Sequence, residues 1–202
     1  MNPDSEPLIH LASRSPRRRE LLDQIGVSWA TVDQGVDESL GAGESPEVFV
    51  VRLALEKARA GHEALSAGVV NVLGADTVVV LDGEVMGKPA DEGEARAMLA
   101  QLSGRSHRVL TGVALVDGER EATRLSVNNV VMRDIAREEM RRYWASGEPQ
   151  DKAGAYAIQG RGAVFVTHLD GNYSGVMGLP LFETADLLDE FGLDYQTAWQ
   201  TR

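Results

Sequence analysis

The sequence contains no cysteine. This absence excludes disulfide bonds, thiolate nucleophiles, iron–sulfur clusters and cysteine-ligated zinc. Only 4 of the 202 residues are histidines, and they are scattered along the chain, so none pair at the spacing with which one helix holds a metal. Any metal ion is therefore expected to be a hard cation, bound by carboxylates, phosphate and water.

Long apolar runs are also missing. No segment approaches the roughly 20 apolar residues of a membrane span. The first residues, MNPDSEPL, are acidic and lack the basic and apolar regions of a signal peptide. We therefore expect a cytoplasmic protein with no membrane partner, in which residues 1–7 form a flexible tail and residues 8–202 form a single domain.

Basic residues are in deficit, with 20 Lys and Arg against 31 Asp and Glu and a formal net charge of −11. This balance argues against broad adhesion to nucleic acid or anionic lipid. It leaves room for a small anionic ligand wherever positive charge is concentrated locally. The hydrophobic share of 43% and the charged share of 25% are those of an ordinary globular protein.

Apolar and turn patterns predict an α/β domain with a mixed sheet flanked by helices, its second half forming a smaller lobe. Helices are predicted to begin at Ser15-Pro16 and Ser45-Pro46, because serine caps a helix and proline suits its first turn. Strands are predicted at 8–12, 28–33, 69–81 (interrupted), 106–116, 121–132, 163–169 and 173–178, and further helices at 91–102, 136–146 and 181–191.

The densest basic feature is the segment SRSPRRRELL, with Arg14, Arg17, Arg18 and Arg19 at a strand-to-helix turn. A helix amino terminus favours phosphate, and arginines there oppose the helix dipole unless an anion offsets them. Arg18 precedes the apolar residues Leu21, Leu22 and Ile25 at helical spacing, so it should lean toward the protein. The segment predicts phosphate binding; a solvated helix start or a docking patch is the alternative.

Asp76 lies within the apolar run VVNVLGADTVVVL. A carboxylate there is costly unless it is paired, hydrogen-bonded or bound to a metal. At a strand end it could hold Mg²⁺ or take a proton from an attacking water. The alternative is an aspartate that stabilises a turn through its own backbone.

Motifs of several enzyme classes are missing. The sequence has neither a GxxxxGK[ST] phosphate loop nor the GxGxxG dinucleotide fingerprint, and no GxSxG elbow accompanies its serines. It does supply the cations and acids of phosphoryl chemistry. These are Asp37, Glu38, Lys57, Lys88 and Lys152, with Gln159 nearby in AIQG.

The motifs resemble those of the Maf family of nucleoside triphosphate pyrophosphatases. The matching segments, in chain order, are LASRSPRRRELL, VDE, RLALEKA, LGADTVVVLDGEVMGKP, LSGRSHRVLTGVAL, YWASGEPQDKAGAYAIQG and GLPLFETADLL. The resemblance implies a Maf-type fold, related to inosine-triphosphate pyrophosphatases, with a central cleft between two lobes. It also implies hydrolysis of a nucleoside triphosphate to monophosphate and diphosphate, with Mg²⁺ or Mn²⁺ as cofactor.

The same resemblance assigns roles to individual residues. Asp76 matches the catalytic proton acceptor, and Glu38 with Asp76 matches the acids near the metal. The matching cleft residues are Ser13, Arg17, Arg18, Lys57, Lys88 and Gln159. Arg17, Thr77 and Gln159 match the subfamily that acts on dTTP and UTP, and a glutamine can both donate to and accept from a pyrimidine edge.

Two other functions stay open at the sequence level. One is a nucleotide-sensing or partner-binding regulator of cell division with little turnover, whose arginine cluster is a docking surface. The other is nucleic-acid binding through SPRRRELL, against which the acidic net charge argues. Modified pyrimidine nucleotides are further candidate substrates, and a homodimer is the default expectation for such an enzyme.

Overall fold

The computed structural model describes residues 6–33, 35–65 and 70–200. Residues 1–5 of the predicted tail and Val69 of the predicted third strand lie outside these ranges. Every helix within them is too short or too polar to cross a membrane.

In the described ranges, seven strands form one mixed sheet, as predicted. The strands are β1 (Ile9–Leu11), β2 (Trp29–Thr31), β3 (Val72–Leu81), β4 (Glu84–Met86), β5 (Ser106–Val116), β6 (Glu121–Met132) and β7 (Val166–Asp170). Their order is β2-β1-β3-β5-β6-β7, and β4 pairs with the end of β3. β1 runs parallel to β2 and β3, whereas the other pairs are antiparallel.

Six helices accompany the sheet in the part of the chain that is described. They are α1 (Pro16–Gln24), α2 (Pro46–Ala64), α3 (Glu92–Leu102), α4 (Arg137–Ala145), α5 (Tyr173–Met177) and α6 (Leu181–Glu190), with 3₁₀ turns at Glu148–Asp151, Ala153–Ala155, Arg161–Phe165 and Gln196–Gln200. The two predicted serine–proline starts are confirmed. At α2 the Ser45 hydroxyl accepts a hydrogen bond from the Val48 amide at 3.3 Å.

The predicted strand at 173–178 is wrong, because these residues form helix α5. The Asn172 carboxamide oxygen accepts hydrogen bonds from the amide and the hydroxyl of Ser174, which caps a helical turn. Gly178 ends the turn with a φ of 116°, a conformation that suits glycine. The strand predicted at 163–169 begins only at Val166, after a 3₁₀ turn.

Two expectations about β3 are also wrong. The strand is continuous rather than interrupted, and Asp76 lies in its middle rather than at its end. The reason is tertiary: β5 pairs with β3 from Val72 through Val80, so the ladder runs past Gly74 and Asp76 without a break. Asp76 stands directly opposite Gly112.

The apolar side chains form separate clusters along the long strands. One cluster packs α1 and α6 against β1 and the start of β3, around Leu22, Leu73 and Leu187. A second packs α3 and α4 against the end of β3, around Val79, Leu99 and Met140. Helix α2 covers the opposite face of the sheet. Helix α6, from the second half of the chain, thus packs with α1 and β1 in the first cluster, and a cleft opens beside β3.

Candidate active site

The cleft opens at a gap along one edge of β3. On that edge β1 pairs with Val72 and Leu73, and β4 pairs with residues from Val79 onward. Among the described residues, therefore, no strand lies beside residues 74–78 on that side, and Asp76 is at the centre of the gap. Because side chains alternate across a strand, Asp76 and Thr77 leave it toward opposite faces of the sheet and line the same opening.

Two glycines let helix α2 lie directly on the sheet beside this gap. A Cβ atom at Gly74 would collide with the Ala54 carbonyl and lie 2.7 Å from the Ala58 amide nitrogen. A Cβ at Gly112 would lie 2.8 Å from the carbonyl carbon of Val50. Only glycine permits this approach, which brings the next turn of α2, with Lys57, over Asp76.

Lys57 bridges two carboxylates. Its Nζ lies 2.7 Å from Oδ1 of Asp76 and 2.6 Å from Oε1 of Glu38. Lys57 and Asp76 are buried, whereas the Glu38 side chain is half exposed at the cleft mouth. Burial opposes ionisation of Glu38, but the hydrogen bond and charge of Lys57 outweigh it and lower the pKa of Glu38. The ion pair with Lys57 thus offsets the free-energy cost of placing the Asp76 carboxylate inside an apolar strand.

Arg18 also lines the cleft. Its side chain leans into the protein, as its helical spacing predicted. Its Nε donates to the Gly178 carbonyl at 2.7 Å and its Nη1 donates to the Ser13 hydroxyl at 2.8 Å. Burial lowers the pKa of Arg18, and the charges of Asp76 and Glu38 oppose that shift. With Nη2 also donating to Thr77, described residues accept from three of the five guanidinium N–H groups.

Hydroxyl groups continue this network in one fixed direction. Arg18 can only donate, so the Thr77 hydroxyl accepts from it at 3.3 Å. The Thr111 hydroxyl donates to the Gly175 carbonyl at 2.8 Å and lies 2.9 Å from the Thr77 hydroxyl. Because the single hydroxyl hydrogen of Thr111 is donated to the Gly175 carbonyl, the Thr77 hydroxyl must be the donor between the two threonines. Thr77 therefore has no proton to offer a ligand and faces the cleft as an acceptor.

The rest of the cleft wall carries excess positive charge. The cleft has a volume of about 850 Å³, and its lining includes six basic residues (Arg14, Arg17, Arg18, Lys57, Lys88 and Lys152) and three acidic ones (Glu38, Asp76 and Asp151). Arg17 Nη1 is 3.8 Å from Asp151, and its Nε donates to the Met177 carbonyl at 3.4 Å. A chain with a net charge of −11 thus presents a cationic pocket.

The structure brings to this one cleft all the residues to which the family resemblance assigns roles; of the other candidates, Arg14 and Lys152 also line it, whereas Arg19 and Asp37 do not. Its lining contains Ser13, Arg17, Arg18, Glu38, Lys57, Asp76, Thr77, Lys88 and Gln159. Sequence reasoning missed Thr111, whose hydroxyl orients Thr77, and did not recognise that Gly112 opposes Asp76. A threonine–glycine pair within the apolar run VLTGVALV was the available signal.

The donor set suits a metal ion that arrives with its ligand. Within residues 6–33, 35–65 and 70–200, no group of three or more His, Asp and Glu side chains is placed to hold a metal. Glu38 and Asp76 offer carboxylate oxygens on either side of Lys57, and no described residue donates a hydrogen bond to Oδ2 of Asp76. Two carboxylates fit Mg²⁺ or Mn²⁺ when phosphate and water complete the coordination.

The chain is similar in sequence to members of one protein family. The family model described as "Maf-like protein" matches residues 8–191. Proteins named "dTTP/UTP pyrophosphatase" from Alkalilimnicola ehrlichii and Aromatoleum aromaticum are 65% and 54% identical to this chain. These matches cover 98% and 91% of this chain, and 100% and 95% of the two relatives. The solved structure of the Staphylococcus aureus Ham1 protein matches with a TM-score of 0.43 at 17% identity, over 64% of this chain and 72% of that one.

Proposed function

The chain belongs to the family of Maf-like proteins, and from that premise we propose that it hydrolyses dTTP and UTP to the nucleoside monophosphate and pyrophosphate. Relatives at 65% and 54% identity bear the name of this activity. The observation that carries the proposal is the Lys57–Asp76 pair, which lines with Arg18 a cleft of net positive charge inside an acidic protein.

Phosphate binding is supported by the amino-terminal turn of α1. The Ser15 side chain makes no capping hydrogen bond, so it takes up none of the amide donors of the first helical turn. Two N–H groups of Arg18 donate to no residue of the described ranges, and Arg17 lies beside it in the cleft wall. Together these donors can hold the phosphate oxygens of a triphosphate.

Asp76 is the group we propose as the proton acceptor. Its Oδ1 is held by Lys57, which fixes the carboxylate and leaves Oδ2 for a water molecule. In the reaction the water oxygen bonds to phosphorus, the α–β bridging P–O bond breaks and Asp76 takes the water proton. Lys57 and Lys88 stabilise the charge that develops on the phosphate oxygens.

A divalent cation bound with the triphosphate would be held by Glu38 and Asp76 and would neutralise phosphate charge. Lys57 bridges these carboxylates and so keeps them close together. We expect Mg²⁺ or Mn²⁺ to support turnover. The cytoplasmic location expected from the sequence accords with a nucleoside triphosphate as substrate.

Selection of the pyrimidine is assigned to Arg17, Thr77 and Gln159. Gln159 is exposed on the cleft wall and carries both a donor and an acceptor, which suits the edge of uracil or thymine. Thr77 presents only an acceptor, as derived above. Cytosine has a different arrangement of donors and acceptors and should be the poorer substrate.

The test is a product analysis across nucleoside triphosphates. Purified protein is incubated with UTP, dTTP, CTP, dATP and GTP, with and without Mg²⁺ or Mn²⁺, and both products are quantified by chromatography. Monophosphate and pyrophosphate in equal amounts from UTP and dTTP would support the proposal. Release of inorganic phosphate with a diphosphate, or nucleotide binding by calorimetry without turnover, would refute it; the second result is the one that the regulator hypothesis predicts.

A further inference from the structure

The turn that carries Gln159 is held from beneath by two side chains outside the cleft lining. The Tyr143 hydroxyl, on α4, accepts a hydrogen bond from the Ala157 amide at 3.0 Å and donates to Oε1 of Glu148 at 2.7 Å. Glu148 in turn accepts from the amides of Arg161 at 2.9 Å and Gly162 at 3.0 Å. The backbone is thus anchored on both sides of Gln159.

Two glycines allow the backbone of this turn to lie directly against Tyr143 and Glu148. A Cβ at Gly160 would collide with the Glu148 carboxylate, and a Cβ at Gly162 would lie 2.6 Å from the Tyr143 hydroxyl. Tyr143 is itself buried and packs edge-to-face on Phe165, with ring centroids 5.2 Å apart. Tyr143 therefore belongs to the buried core, and the partly buried Glu148 joins it to the turn.

The charge of Glu148 is stabilised by the same contacts. Although burial opposes ionisation, the amide of Arg161, the Tyr143 hydroxyl and the amide of Gly162 lower the pKa of Glu148. The carboxylate is thus an acceptor for three donors at neutral pH. It is the common partner of both amides and the hydroxyl.

Gln159 depends on this support because its own side chain is not held. It is exposed in the cleft, and within the described ranges its carboxamide makes no hydrogen bond to another residue. A carboxamide can distinguish uracil from cytosine only if its oxygen and nitrogen are presented in a fixed place. That place must come from the backbone of residues 157–162.

We propose that Tyr143 and Glu148 are positioning residues for nucleobase selection, which act through Gln159 and do not touch the substrate. The inference rests on the proposed pyrimidine triphosphate hydrolysis. Loss of either side chain loosens the turn, so that discrimination between UTP and CTP falls while the phosphate-binding half of the cleft stays intact. Turnover of UTP then changes less than the UTP-to-CTP ratio of kcat/KM.

The experiment compares Tyr143→Phe and Glu148→Gln with wild type in the full chain. Tyr195→Phe is the matched control, because Tyr195 is also buried, lies outside the cleft lining, and within the described ranges its hydroxyl accepts a hydrogen bond from Gln196 alone. Each variant is also combined with Gln159→Ala. The measurements are kcat/KM for UTP and CTP, and hydrogen exchange of the amides in residues 157–162.

Tyr143→Phe is expected to lower the UTP-to-CTP ratio about tenfold, the effect of one lost hydrogen bond, and to speed amide exchange in 157–162. It should cause no further loss of the ratio in the Gln159→Ala background, a result that general destabilisation would not produce. Glu148→Gln should act in the same way, and Tyr195→Phe should change neither measurement.

An unchanged ratio in Tyr143→Phe, or a full additional loss in the Gln159→Ala background, would overturn the inference. If Glu148→Gln does not fold, the UTP-to-CTP ratio of Tyr143→Phe alone tests the inference. Failure of the proposed function is separate and visible in wild type, which would then release no pyrophosphate from any triphosphate. Even then, unchanged amide exchange in Tyr143→Phe would show that these side chains do not hold the turn.

Discussion

Substitution of Asp76 by asparagine should abolish the proposed proton transfer and leave the fold of the cleft intact. The carboxamide has nearly the shape of the carboxylate, so it fits the site opposite Gly112 in the middle of β3. It removes one negative charge and the proton acceptor, while Lys57 keeps Glu38 as a counter-ion at 2.6 Å. The variant therefore tests whether this carboxylate takes the proton of the attacking water.

The structure sets the size of both effects. A positioned general base contributes about 10²- to 10⁴-fold to a rate, so turnover should fall by at least about a hundredfold. The stability cost should be about 1–3 kcal/mol, the value of one hydrogen bond to a charged group. It should stay below the roughly 3–5 kcal/mol of a fully orphaned buried charge, because Glu38 remains bound to Lys57.

The assay is pyrophosphate release from UTP at saturating Mg²⁺, with urea unfolding of the same samples. Asp82→Asn is the matched control, because Asp82 follows β3 at an exposed turn and pairs only with Arg105. Its φ of 54° is one that asparagine readily adopts. Asp82→Asn should keep wild-type turnover. If Asp76→Asn retains turnover within about fivefold of wild type, Asp76 is not the proton acceptor.

Three further predictions concern the groups around this carboxylate. Lys57→Met should cut turnover of UTP by at least about a hundredfold and should unfold at a lower urea concentration than wild type, since Asp76 and Glu38 lose the cation that they share; an unchanged rate of pyrophosphate release would contradict this. Thr111→Val should lower kcat/KM for UTP about tenfold by breaking the hydroxyl relay to Arg18, whereas Thr111→Ser should keep it, and equal loss in both would dismiss the relay. Burial lowers the pKa of His107 from 6.5 to about 4, so the unfolded chain binds the proton first and wild-type stability should rise by up to about 3 kcal/mol from pH 4 to 6.5. His107→Phe should flatten that rise in unfolding measured across the same range, and an unchanged slope would assign it to other groups.

Local signals in the sequence correctly predicted much of the fold. Helices α1 and α2 begin where serine and proline stand together, because capping and the fixed φ of proline act within one turn of the chain. Asp82-Gly83 and Asp117-Gly118 lie in the turns after β3 and β5, where each glycine has a positive φ. The strand predicted at 173–178 is wrong because Asp170-Gly171-Asn172 has the composition of a hairpin turn, whereas in the structure the Asn172 side chain caps helix α5.

The candidate site was predicted as a set of residues but not as an arrangement. Asp76 was a candidate because a charged side chain in an apolar run needs a partner. In the structure that partner is Lys57, 19 residues earlier in the chain. Nothing in the spacing of the two residues specifies that contact. It depends on the approach of α2 to the sheet over Gly74 and Gly112, which only the packed structure displays.

The sequence by itself determined the class of the protein: no thiol or long apolar run, an acidic chain with one arginine-rich helix start, and motifs that place it among the Maf-like proteins. Only the tertiary structure decided how these parts meet. The gap between β1 and β4 along β3, the direction of the hydroxyl chain through Thr111 and the support of Gln159 by Tyr143 each join residues far apart in the chain. Strand pairing and packing set those distances, and they are properties of the whole fold rather than of any local segment.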